Sequence, residues 1–111
     1  MSFQPLNLAI STISAFNTIT TTPITVAPAN PSRKRILFHN PGSVDIFVAP
    51  TQVQVSGANV PLSPTTLLLG GCFRVYANGA DRLIEGNAAG LTFVAFSASG
   101  SGNPLTVMEL S

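Results

Sequence analysis

From Thr22 onward the chain is divided by proline, glycine and asparagine into short apolar runs: PITVAP, KRILFHN, VDIFVAP, QVQVSG, TTLLLGG, CFRVYANG, DRLIEG, LTFVAFSAS and LTVMELS. Short runs rich in Val, Ile, Phe and Thr, bounded by turn residues about every 8–12 positions, are the pattern of an all-β sandwich or barrel. No stretch carries the 3.6-residue period of an amphipathic helix. The expected fold is therefore an antiparallel β-sandwich made from residues 22–111.

Within the runs, side chains alternate. Val44, Ile46 and Val48 should face one way with Asp45 and Phe47 on the other. LTFVAF is apolar on both faces, which fits a central strand or one covered by a partner. In HNPGSV, Pro41 and Gly42 suit the two central positions of a type II turn, predicting a hairpin between residues 34–40 and 44–49. Asn78-Gly79 favours a turn with positive φ at both central residues. SASGSGNP, residues 97–104, reads as a loop before the last strand.

A chain of 111 residues is enough for one domain with a core. Only 8% of it is charged, against about 25% in ordinary soluble domains. With 45% hydrophobic residues, mean hydropathy of +0.41 and net charge of +1, little opposes association. Much of this surface should be covered in its working state. The same charge gives no long-range field, so neither nucleic acid nor an anionic membrane is an expected partner. Cys72 is the single cysteine, which rules out a disulfide framework and fits folding in a reducing cytoplasm. The first residues lack the positive and uninterrupted apolar regions of an export signal, and no apolar run reaches membrane-spanning length.

Residues 1–21 carry no charge and scatter Phe3, Leu6, Leu8, Ile10, Ile13 and Phe16 among Ser, Thr and Asn. Their spacing fits strand or helix equally. The segment reads as an extended arm with one possible strand, lying on its own domain or on a neighbour. On that reading, residues 1–18 could be removed with the β-core left folded.

The chemistry-bearing residues are few. Arg33, Lys34 and Arg35 are three of the five basic residues. In a strand, Arg33 and Arg35 would share one face and Lys34 the other. A nucleic-acid groove would need more positive charge and interleaved aromatics. The remaining readings are a charged strand entrance that keeps an edge soluble and a docking contact with an acidic protein surface. His39 stands alone, a turn-flanking residue bonded to solvent or backbone. Asp81 and Glu85 are the nearest pair of acids in sequence, yet a glycosidase pair needs two carboxylates about 5–10 Å apart with one in an apolar pocket, and the plain reading is a turn residue and a solvated strand end. Gly70-Gly71 lacks the Lys-Ser/Thr of a phosphate loop and reads as a bulge or corner. Cys72 reads as a small buried hydrophobe. No catalytic residue, metal ligand or cofactor is expected.

In NPSRKRILFHNPGSVDIFVAP, an Asn-Pro precedes basic residues, an apolar strand, His-Asn-Pro-Gly-Ser and a second strand. With Pro-Leu-Ser-Pro at residues 61–64 leading into another strand, this resembles small virion proteins of tailed bacteriophages. Size, all-β pattern and neutral composition are similar to the capsid decoration proteins, the cement or staple proteins of short-tailed phages such as epsilon15. The resemblance covers residues 30–69. It implies a jelly-roll sandwich made in the host cytoplasm and placed on the outer capsid surface, often as a homodimer astride two-fold positions. The major capsid protein would be its partner. Phe3, Leu6, Leu8, Ile10, Ile13 and Phe16 would reach across a subunit boundary, and Arg33, Lys34 and Arg35 would make rim contacts. A head-fibre, spike or tail-associated module that binds host glycan is the alternative, and the absence of Trp with a single Tyr weighs against it.

Overall fold

In RILFHN the period-two pattern becomes geometry: Ile36, Phe38 and Asn40 are buried, while Arg35, Leu37 and His39 alternate with them on the outside. The structure, a computed structural model, describes residues 10–50, 54–55, 58–59 and 72–110. Its strands are β1 (Ile10–Ile19), β2 (Ile24–Ala27), β3 (Arg35–Asn40), β4 (Ile46–Pro50), β5 (Gln54–Val55), β6 (Ala58–Asn59), β7 (Phe73–Val75), β8 (Ala80–Glu85), β9 (Phe93–Ser97) and β10 (Asn103–Leu110). A 3-10 turn, Gly86–Gly90, links β8 to β9. The TTLLLGG run, its Gly70-Gly71 corner and Pro61 to Pro64 lie outside the described residues.

Eight strands form two antiparallel four-stranded sheets, in the orders β1-β10-β3-β8 and β2-β9-β4-β7, and β5 pairs with β6. The pairing is nested. β4 pairs with β7, β3 with β8, β2 with β9 and β1 with β10, so the first half of the chain lies antiparallel to the second. Pairing of β10 with β3 and of β9 with β4 completes each sheet. The expected β-sandwich is the fold.

Between the sheets, Ile36, Phe38, Leu105 and Val107 of the first meet Ile46, Val48, Val75, Phe93 and Ala95 of the second. Each large apolar side chain so enclosed contributes about 1.5–3 kcal/mol. The ring of Phe38 lies 5.3 Å from that of Phe93 and 5.8 Å from that of Phe73. LTFVAF is a central strand, β9, as its two apolar faces suggested. Its outward Phe96 stacks on Phe47 of β4 at 5.1 Å. Asn78 and Gly79 take φ of 68° and 93°, the positive values expected of this turn.

Two expectations change. Strands β3 and β4 are not a hairpin, because they belong to different sheets. The corner between them is held by Asn40, whose buried side-chain amide donates to the Val44 carbonyl (2.8 Å) and the Val75 carbonyl (3.0 Å) while its Oδ1 accepts from Gly42 N–H (3.0 Å). The Asn78-Gly79 turn docks here too, through Asn78 N–H to Gly42 O and Gly79 N–H to Asn40 O, both 2.7 Å. Gly42 does not adopt positive φ. It is required by close approach, since a Cβ there would sit 2.7 Å from Pro104 Cδ.

The one strand read as possible in the arm is β1, lying on its own domain, and what changes is its expected dispensability. Residues Ile10–Ile19 are an edge strand of the first sheet, with Ile19 fully buried and Phe16 packed against the core. Deleting residues 1–18 therefore strips β1 from β10. We expect that deletion to lower the unfolding midpoint sharply or abolish cooperative unfolding in circular dichroism, contrary to a removable arm. Asn40→Ala removes the amide that donates to the part-buried Val44 and buried Val75 carbonyls, and should cost at least about 2 kcal/mol in urea denaturation.

Candidate functional site

Each strand of the first sheet carries an apolar residue out of phase with its core positions, and the register brings these residues together. Ile13 lies opposite Met108, Met108 opposite Leu37, and Leu37 opposite Leu83. The result is one apolar row across all four strands on the outward face. At about 4.8 Å between strands, it spans about 15 Å. Ile13 is 58% exposed and Leu83 48% exposed.

The rows on either side of it carry ion pairs on β3 and β8. On one side Leu110, Arg35 and Glu85 are register partners, and Arg35 Nε donates to Glu85 Oε2 at 2.8 Å. On the other, Ala15, Thr106, His39 and Asp81 align, with His39 Nδ1 and Asp81 Oδ1 2.5 Å apart. His39 thus bonds a carboxylate instead of solvent or backbone. An apolar stripe between ion-paired rims has the anatomy of an interface, apolar at its centre and polar at its margin. The outer face of the second sheet differs, because Phe47, Ala49 and Phe96 are buried there with Cys72 and Val94 packed against them.

The basic trio separates. Arg33 is 2% exposed. Its Nε donates to Ala89 O (2.5 Å), its terminal nitrogens donate to Pro28 O (3.1 Å) and Leu91 O (2.7 Å), and it pairs with the Glu109 carboxylate. A planar guanidinium with five donors suits this role, tying the segment before β3 to the 3-10 turn and β10. The guanidinium is thus a structural strut with no surface to offer as a rim contact. Lys34 is exposed at the sandwich end, away from the apolar row, beside a cavity shared with Asn87 and Leu91. Arg35 alone lies on the outward face, and β3 is an internal strand, not the edge that a charged entrance would protect.

Of the proposed arm residues, Ile13 joins the apolar row, Phe16 turns into the core and Ile10 is the register partner of Leu110. Phe3, Leu6 and Leu8 lie outside the described residues. Asp81 and Glu85 point outward four positions apart on β8, about 13 Å, each held by a different base. Among the described residues no three His, Cys, Asp or Glu side chains gather where they could hold a metal ion, and no helix is long and apolar enough to cross a membrane. No protein-family model matches the chain, and no curated protein matches it.

The two arginines should behave oppositely. Arg33→Ala removes the guanidinium that pairs with Glu109 and donates to three carbonyls, and is expected to cost about 3–5 kcal/mol in denaturant unfolding. Arg35→Ala removes a solvent-exposed pair and should change stability by less than about 1 kcal/mol.

Proposed function

We propose that this protein is a non-enzymatic structural virion protein that decorates a phage capsid, docking on the major capsid protein through the outer face of the β1-β10-β3-β8 sheet and clamping adjacent subunits. The observation that carries this reading is the outward apolar row Ile13, Met108, Leu37 and Leu83, exposed at its two ends and half-buried between them, with ion pairs on either side. Leaving such a row exposed invites association, above all in a chain that is 8% charged.

The strand orders support a finer reading of the sandwich as a jelly roll, an eight-stranded wiring that recurs in viral capsid and lectin domains. A row about 15 Å long is only the centre of a footprint, since stable interfaces bury about 800 Å² on each partner. A homodimer presenting two such faces makes the second grip intramolecular, so modest single contacts suffice. Phe3, Leu6 and Leu8, the residues expected to reach across a subunit boundary, precede β1 in sequence, and β1 is the edge strand of this sheet.

The test is co-sedimentation with undecorated mature capsids of the parent virus, comparing the natural protein with the Leu83→Glu, Met108→Glu double variant. The natural protein should saturate at a fixed ratio to the major capsid protein. The variant, with unchanged circular dichroism, should lose at least about a hundredfold in affinity, because two carboxylates would be desolvated in the interface centre. Equal binding by the variant would move docking off this face. Failure of the folded natural protein to bind would sink the capsid reading, and saturable binding to a glycan array would put a receptor module in its place.

A further inference from the structure

The chain has four side-chain carboxylates, and each stands beside one base: Asp45 by Arg74, Asp81 by His39, Glu85 by Arg35 and Glu109 by Arg33. Lys34 and Arg82 are the basic residues left over. Arg82 is exposed, but it has a defined setting. It lines a cavity of about 340 Å³ with Cys72, Phe73, Arg74 and Tyr76, where β7 and β8 bring the edges of the two sheets together.

Three features of this cavity suit an oxyanion. The guanidinium of Arg82 sits 5.2 Å from the centre of the Phe73 ring, and that of Arg74 sits 5.3 Å from Phe47 and 5.2 Å from Tyr76. A guanidinium stacked on a ring keeps its in-plane N–H groups for an acceptor. Second, Arg74 Nε is buried without a hydrogen-bond partner among the described residues, and native structures rarely leave such a donor unmet. Asp45 does not meet it: its Oδ2 stands 3.8 Å from an Arg74 terminal nitrogen, and its Oδ1 accepts from Ala77 N–H at 2.8 Å. Third, the charges do not cancel. Two guanidiniums line the cavity, only that of Arg74 has a carboxylate nearby, and burial pushes the Cys72 thiol up from its ordinary range, so it adds no negative charge at neutral pH.

We propose that this cavity is a carboxylate-binding site that receives an Asp or Glu side chain from a protein partner. The ring faces argue for a protein acid over an acidic sugar, because Phe47, Phe73 and Tyr76 each already carry a guanidinium and a saccharide would need those faces for stacking. The volume falls at the small end of ligand sites, about 300–1,000 Å³, enough for an acidic side chain and its neighbours. The site is separate from the apolar row and stands whether or not that row docks on a capsid.

The test is titration of the full chain with a hexaglutamate peptide, with hexaglutamine as the uncharged control, following arginine side-chain Nε–Hε signals by NMR. Saturable shifts at Arg74 and Arg82 are expected with hexaglutamate only. Arg82→Gln should weaken binding at least about tenfold, the scale of a lost charge-assisted pair, while Lys34→Gln leaves it unchanged. Shifts that do not saturate, or equal losses in the two variants, would reduce the effect to diffuse charge and overturn the site. A silent hexaglutamate titration beside saturable binding of an oligouronate would overturn the protein-acid assignment in favour of a sugar acid.

Discussion

The contact of Phe38 with Phe73 and Phe93 holds one sheet to the other, and the rest of the molecule is arranged around it. Phe38 lies on an internal strand of the first sheet and meets rings from an edge strand and an internal strand of the second. Tilted and edge-on ring pairs of this kind add about 0.5–1.5 kcal/mol beyond the area they bury. With the inner faces joined, the two outer faces are treated differently. The second sheet buries Phe47 and Phe96 within the chain's own structure, whereas the first leaves Ile13 and Leu83 facing outward. That asymmetry, more than the number of exposed apolar residues, singles out one side of the sandwich.

Scarcity of charge gives each ion a definite place. Arg33 and Glu109 form a largely buried pair whose value lies in the backbone carbonyls that the same guanidinium satisfies. Arg35 with Glu85 and His39 with Asp81 are solvent-exposed and contribute little to stability. Their consequence is geometric, since they confine the apolar row to a stripe.

Much of this was legible in the sequence because it is local. Strand positions followed from period-two alternation, β9 announced its central place by being apolar on both faces, and Asn78-Gly79 specified its turn. Partner choice was not legible, because nested pairing joins residues as distant as Ile10 and Leu110, and no local pattern encodes which strand arrives. Pro41-Gly42 mimicked a hairpin turn, and only the reach of the Asn40 side chain to Val75 shows the chain crossing between sheets. Arg33 looked like surface because its partners Ala89 and Glu109 lie 56 and 76 positions away. The apolar row did leave a signal: Leu37, Leu83 and Met108 each sit beside a core residue, out of phase with the strand that carries them.

The position of the last strand bears on how the molecule is made. β10, the final element in sequence, runs between β1 and β3, and β9 runs between β2 and β4. Neither sheet can close around its middle until the C-terminal quarter of the chain exists. During synthesis β1 to β3 therefore emerge before the strands that lie beside them, and both sheets wait for β9 and β10 to be made. Ladders between strands about 100 residues apart form slowly, so the molecule passes through an aggregation-prone interval before β10 is in place, with its neutral surface giving it little electrostatic protection.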